Sequence, residues 1–169
     1  RLSAPAMRIH RRFESKVVRE ADGVIVVSAQ MKNELMVLRP KRINLITNGF
    51  DEEDWPNEPV DLDSKFSITH VGTLSRYFNP VILWEVLSDL CEEIEGFRND
   101  LVIRLVGQVD ATAIESIQKV NLQNNLESLG QVTHVEAVKF QRKSQVLLLV
   151  VNSSPNAMGI LTGKVFEYL

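Results

Sequence analysis

The chain has 169 residues, 44% of them hydrophobic and 24% charged, with a net charge of −3. That is the balance of a globular chain long enough for one full core. No apolar run of about 18 residues is present to span a bilayer, no signal-like start is visible, and the single cysteine, Cys91, excludes an internal disulfide framework.

Charge is unevenly spread. Residues 1–20 hold six Lys/Arg and two Glu, giving +4, and residues 48–64 hold seven Asp/Glu and no Lys/Arg, giving −7. There is no broad basic face and no interleaving of aromatic with basic residues, which argues against nucleic acid as a partner. The chain starts at Arg1 and stops at Leu169 inside a helical pattern, so both ends are expected to be cuts rather than natural termini.

Residues 6–20 place Ala6, Ile9, Phe13 and Val17 on one helical face, with Arg8, Arg11, Arg12, Lys16 and Arg19 largely on the others. This is an amphipathic helix with a basic outer side, either solvated or set against anionic lipid headgroups as a peripheral membrane contact. Gly23 then opens a strand from Val24 to Val27. Ser28 can cap a helix carrying Met31, Leu35 and Leu38, which Arg39-Pro40 ends because proline disfavours helix in the residue before it. Ile43 to Thr47 reads as a short strand stopped by Asn48-Gly49. Residues 48–64, with two prolines and dense like charge, have little to bury and read as a linker or a simple acidic loop, with Phe50 and Trp55 as its anchors.

A regular alternation follows. Phe66 to Val71 reads as a strand leading to Gly72, and Asn79-Pro80 starts a helix through Ile94 with Ile82, Leu83, Val86, Leu87, Leu90 and Ile94 at helical spacing. Cys91 falls among them as a small core residue. Leu101 to Val106 is a strand ending at Gly107, and Asp110 caps a helix using Ile114, Ile117 and Val120. A short strand near Leu126 to Leu129 precedes Thr133-His-Val-Glu136, a capping box that opens a helix to about Lys143. The aliphatic run Val146 to Val151 reads as a strand buried on both faces.

Strand and helix alternating at this spacing predict an α/β chain with a parallel, Rossmann-like sheet and right-handed crossovers. Gly72, Gly107, Gly130 and the Asn152–Gly159 loop then all follow strands, at the carboxyl edge where open α/β sheets bind ligands. No Gly-x-Gly-x-x-Gly or Walker pattern occurs. His10, His70 and His134 lack metal-ligand spacing, so no metal site is expected, and His70 reads as an interior histidine.

The last stretch, Gly159-Ile-Leu-Thr-Gly-Lys-Val-Phe-Glu-Tyr-Leu169, reads as a loop entering a helix, with Thr162 able to cap and Gly163 and Lys164 in the first turn. Free amides, a small residue and a cation make a seat for an anion. Glu167 lies about 7 Å further along the axis, where a carboxylate can accept both hydroxyl protons of a ribose diol. The equally open alternative is a solvated Glu167 and a loop glycine at 163.

Five ordered pieces carry a family resemblance: Ala21-Asp-Gly-Val-Ile-Val-Val-Ser28, Ile43-Asn-Leu-Ile-Thr-Asn-Gly-Phe-Asp51, Val71-Gly-Thr-Leu-Ser-Arg76, Leu105-Val-Gly107 and Gly163-Lys-Val-Phe-Glu-Tyr-Leu169. Together they resemble the donor-nucleotide end of family 4 (group 1) glycosyltransferases, which have the two-Rossmann GT-B architecture. The resemblance implies that residues 1–47 are the end of a first, acceptor-side Rossmann-like domain, 48–64 the interdomain linker, and 65–169 the nucleotide-sugar donor-binding domain, truncated at its C-terminus. It implies transfer of a hexose-like group to a sugar or lipid-linked acceptor in glycan or polysaccharide biosynthesis, with anomeric retention. The nucleotide-diphosphate sugar is a substrate and no cofactor is expected. The location it implies is the cytoplasm, at the inner membrane face if the basic helix meets lipid.

The donor-nucleotide site implied is Gly72, Arg76, Gly107, Thr162, Gly163, Lys164 and Glu167, with no catalytic residue assigned. Of the family's two glutamates eight positions apart, Glu167 matches the ribose-binding second, and the first falls on Gly159. The family's diphosphate-binding Arg and Lys fall on Thr73 and the Phe78-Asn79 region, leaving Arg76 as the loop's cation. The fragment alone is expected to be inactive. Gly159 leaves open a different class, a non-catalytic nucleotide-binding or interaction module of a polysaccharide assembly system. A sugar-nucleotide epimerase of the same double-Rossmann build is a third reading.

Overall fold

A computed structural model describes residues 3–51, 59–151 and 162–168. They pack as two units, residues 3–50 with 162–167, and residue 51 with 59–151 and 168.

In the first unit, helix α1 (Ala4–Glu20) begins with Pro5 in its first turn, where the missing amide hydrogen does no harm. Strand β1 (Val24–Val26), helix α2 (Ala29–Met36) and strand β2 (Ile43–Leu45) follow, and the two strands pair in parallel. Ser28 caps α2 by accepting from the Met31 amide at 3.2 Å. Arg19 donates to the Leu38 carbonyl at 3.2 Å, and Lys41 to the Glu20 carbonyl at 2.9 Å and to Asp22 at 3.0 Å, closing the α1 end against the chain that enters β2. The apolar face expected on α1 is present but uncovered: Ile9, Phe13 and Val17 are exposed, and Val18 is the helix's one buried residue.

The second unit is a four-stranded parallel sheet in the order β5-β4-β3-β6. Its elements in chain order are β3 (Phe66–Val71), α3 (Val81–Glu93), a single-turn α4 (Phe97–Asp100), β4 (Leu101–Val106), α5 (Ala111–Lys119), β5 (Leu126–Gly130), α6 (His134–Lys143) and β6 (Val146–Leu147). The central pair, β3 and β4, runs in register from Phe66 beside Leu101 to Val71 beside Val106. A short helix α7 (Gly163–Tyr168) ends the described chain. Among the described residues no helix is long and apolar enough to cross a membrane.

Strand side chains alternate between faces, and the two faces of this sheet have opposite chemistry. Ile68, Leu101, Ile103 and Leu105 join Trp84, Leu87 and Cys91 of α3 and Ala113 and Ile117 of α5 in one apolar core. On the other face Ser67 and Thr69 of β3 and Arg104 of β4 are all buried. Arg104 pairs with Asp63 at 2.6 Å and with Glu127 at 2.8 Å, and its guanidinium lies 5.2 Å from the Phe140 ring of α6. Thr69 bonds Ser144, and Gln145 accepts from both the amide and the hydroxyl of Ser67. Asp63 therefore fastens the end of the acidic segment to the sheet, with Lys143 at 3.4 Å. Burial raises the Asp63 carboxyl pKa, but the hydrogen bond from Arg104 and the charges of Arg104 and Lys143 outweigh it and hold the net value below the ordinary one.

Two expectations need correction. The run Val146 to Val151 is not a strand buried on both faces. Strand β6 ends at Leu147, stands at the sheet edge, and leaves Val146 and Val151 exposed. Burial on both faces needs sheet on both sides, and among the described residues β6 has only β3 beside it. On α3 the buried stripe is Trp84, Leu87 and Cys91, whereas Ile82 is 76% exposed and Val86 is also exposed. The helix turns its tryptophan inward because the Trp84 indole finds an acceptor, Asn79 Oδ1, at 2.8 Å.

Candidate functional site: the carboxyl edge of the sheet

Strands β3 and β4 end level, and each is followed at once by a glycine with positive φ, 119° at Gly72 and 117° at Gly107. The Gly72 amide donates to the Val106 carbonyl at 2.7 Å, and the Gly107 amide to the Gly130 carbonyl at 2.7 Å. A Cβ on Gly107 would lie 2.5 Å from the Gly72 carbonyl oxygen, so no side chain fits there. Beyond the glycines the two loops stay laced together. Leu74, fully buried, donates to the Gln108 carbonyl and accepts from the Asp110 amide, both at 2.9 Å. The result is a shelf of bare backbone at the edge where ligands of open α/β sheets approach.

Arg76 follows on a single 3-10 turn, Arg76–Phe78. Its guanidinium donates to the Tyr77 hydroxyl at 2.6 Å and lies 4.7 Å from the centre of that ring. The Tyr77 hydrogen bond, helped by Asp110, keeps the arginine pKa above its ordinary value. Asp110 caps α5 by accepting from the Thr112 hydroxyl and amide, which with Arg76 hold its carboxyl below the usual range. The loop's cation is thus exposed and pre-positioned beside a phenol. Asn79, where the resemblance called for a lysine, is committed to structure: its amide donates to Ser116 Oγ at 2.9 Å while its oxygen accepts from Trp84.

His70, the next-to-last residue of β3, is buried, and its Nδ1 meets the Leu148 carbonyl at 3.0 Å. A carbonyl only accepts, so Nδ1 carries the proton. This matches an interior histidine, and it ties the chain after β6 to the edge.

The other set of expected residues lies on α7. Lys164 is half-buried, and burial pushes its ammonium pKa down while Glu167, one turn on, partly restores it. The expected side-chain cap by Thr162 is not formed. Its backbone carbonyl accepts from the Val165 amide at 3.2 Å, but the buried hydroxyl has no hydrogen-bond partner among the described residues. Gly163 opens the helix. Gly159 and the Asn152–Gly159 loop lie outside the described residues. The structure therefore groups Gly72 and Gly107, with Arg76 just beyond, and separately Thr162, Gly163, Lys164 and Glu167 on α7. Residue-type reasoning missed Tyr77 as the hydrogen-bond partner of Arg76; the signal was the Arg-Tyr pair itself. Among the described residues no cluster of three or more His, Cys, Asp or Glu could hold a metal ion.

No protein-family model and no curated protein matches the chain. Solved structures do. HepE from Anabaena in complex with UDP is similar over 99% of this chain and 46% of its own, with TM-score 0.72 and 17% identity. WaaG, a glycosyltransferase involved in lipopolysaccharide biosynthesis, is similar over 99% of this chain and 47% of its own, with TM-score 0.70 and 14% identity. TarM from S. aureus, in a complex with UDP among other ligands, is similar over 81% of this chain and 27% of its own, with TM-score 0.63 and 15% identity. The fold is the α/β, parallel-sheet fold of GT-B glycosyltransferase Rossmann-like domains. The chain spans less than half the length of these three structures.

Proposed function

We propose that the chain is part of a family 4 GT-B glycosyltransferase that transfers a hexose-like group from a nucleotide-diphosphate sugar to a sugar or lipid-linked acceptor. The observation that carries this reading is the backbone shelf of Gly72 and Gly107, with the exposed Arg76 on the turn that follows, on a fold whose similar structures include HepE and TarM with UDP. In such a transfer the bond between the sugar's anomeric carbon and the diphosphate breaks, the acceptor oxygen bonds to that carbon, and the acceptor's hydroxyl proton passes to the departing diphosphate. Charge then grows on the diphosphate, and oriented amides and cations hold it without a metal. In this reading Gly72 and Gly107 let the donor close on the backbone, Arg76 and Lys164 face its phosphates, Thr162 and Gly163 open the helix toward them, and Glu167 holds the ribose. Residues 1–47 would close an acceptor-side domain, 48–64 link it, and 65–169 hold the donor. The basic helix α1 would rest on the cytoplasmic membrane face if the acceptor is lipid-linked.

The second reading is a non-catalytic module of a polysaccharide assembly system, favoured by glycine at 159 in place of the family's first glutamate. Calorimetric titration of UDP, GDP and ADP into a protein extended to its natural ends, with Glu167→Ala beside it, tests both. Selective binding of one nucleotide, weakened about tenfold in the mutant as expected for a lost hydrogen bond to a charged group, supports the donor site. A folded protein that binds none of the three points to the module.

A further inference from the structure

The opposite, amino edge of the same sheet carries a cavity of about 420 Å³, within the range of about 300–1,000 Å³ usual for ligand sites. Lys65 at the start of β3, Arg98 and Asn99 on α4, and Asn121, Asn124 and Asn125 before β5 line it. A six-residue strand separates it from the glycine shelf by about 20 Å, so it stands independently of the donor reading.

The lining divides into a fixed frame and unspent groups. Asn125 is buried and held by two donations from its amide, to the Arg98 carbonyl at 2.7 Å and the Leu101 carbonyl at 2.9 Å. Both donations use Nδ2. Arg98 is oriented by Glu92 at 2.6 Å and by the Asn121 carbonyl at 3.0 Å. The Glu127 carboxylate also lines the cavity and is engaged by Arg104. The Lys65 ammonium and the side-chain amides of Asn99, Asn121 and Asn124 make no hydrogen bond or ion pair among the described residues.

An amide offers a donor and an acceptor side by side, the pattern that matches vicinal hydroxyls, and an ammonium without a carboxylate partner matches an anion. We infer that this cavity binds an acidic sugar, with its hydroxyls on the asparagine amides and its anionic substituent on Lys65 and Arg98.

The test is heteronuclear NMR titration of the whole chain with methyl β-D-glucuronide, a 6-sulfated methyl glucoside, the neutral methyl β-D-glucoside and sodium acetate. Saturable shifts of the Asn99, Asn121 and Asn124 side-chain amides with either anionic sugar are expected, and which one acts tells carboxylate from sulfate. Lys65→Glu should weaken that binding about tenfold, the loss of one charge-assisted contact, and Asn124→Ala, an exposed position, should weaken it less. Equal binding of the neutral glucoside, the same shifts from acetate alone, or unchanged affinity in Lys65→Glu would overturn the inference. UDP reads out at the Gly72 and Gly107 amides instead, so failure of either site is seen separately.

Discussion

The two faces of the second unit's sheet are built from the same strands and held by different forces. The face toward α3 and α5 is dry and apolar around Trp84, whereas the face toward α6 is organised around a buried arginine and the oxygens that receive it. The apolar face gains from area removed from water and tolerates small shifts in position. The polar face gains only while every charge has its partner, because a buried charge left alone is costly. The polar face should therefore answer to pH through its paired carboxylates.

Truncating the apolar face should cost most. Trp84 is fully buried, and Trp84→Ala should destabilise the unit by about 3–5 kcal/mol, measured by urea denaturation followed by circular dichroism. Arg104→Met tests the polar face. It removes the closer of the two cations on Asp63, 15% exposed at its side chain, and leaves Lys143 at 3.4 Å, while Glu127 at 45% can turn to water, so the expected loss at neutral pH is about 1–3 kcal/mol, below that of a buried charge left with no partner. A cost near zero would mean that the arginine is spare, and the contrast between faces would fail.

The smallest effect is the pH profile. The folded Asp63 carboxyl lies below its ordinary pKa, so the stability it lends is present above the unfolded carboxylate range and is lost as pH falls through the folded value. Denaturation midpoints of wild type and Asp63→Asn should differ at pH 7 and converge in acid. Midpoints that stay apart below the folded value would assign the difference to packing instead.

The apolar face was legible in the sequence, because strands at 66–71 and 101–106 and the helix spacings announce themselves through periodicity. The polar face was not read, although its signal is plain in Leu101-Val-Ile-Arg-Leu-Val106: an arginine inside an otherwise aliphatic strand must find carboxylates or leave the sheet. Its partners sit far off in the chain, at 63 and 127, and spacing cannot pair them. The exposed Ile82 and the short β6 teach the same limit, since residue type records a taste for burial but not which neighbour supplies it. Of the candidate site, the glycines after β3 and β4 were visible as strand-end glycines. Their mutual contact was not, because it depends on two loops meeting in space, whereas the stacking of Arg76 on Tyr77 is local and follows from the turn that the two adjacent residues share.

The outer edge of β6 has a practical consequence. Val146 and its successors, Leu147-Leu-Leu-Val-Val151, are uncharged, free of proline and rich in branched side chains, and among the described residues the strand is paired on one side only. Such a segment is a template for strand addition and cross-β stacking between molecules. Concentrated or warmed samples should clump first through this stretch, and a lysine at the exposed Val146 is the gatekeeper that would keep them clear.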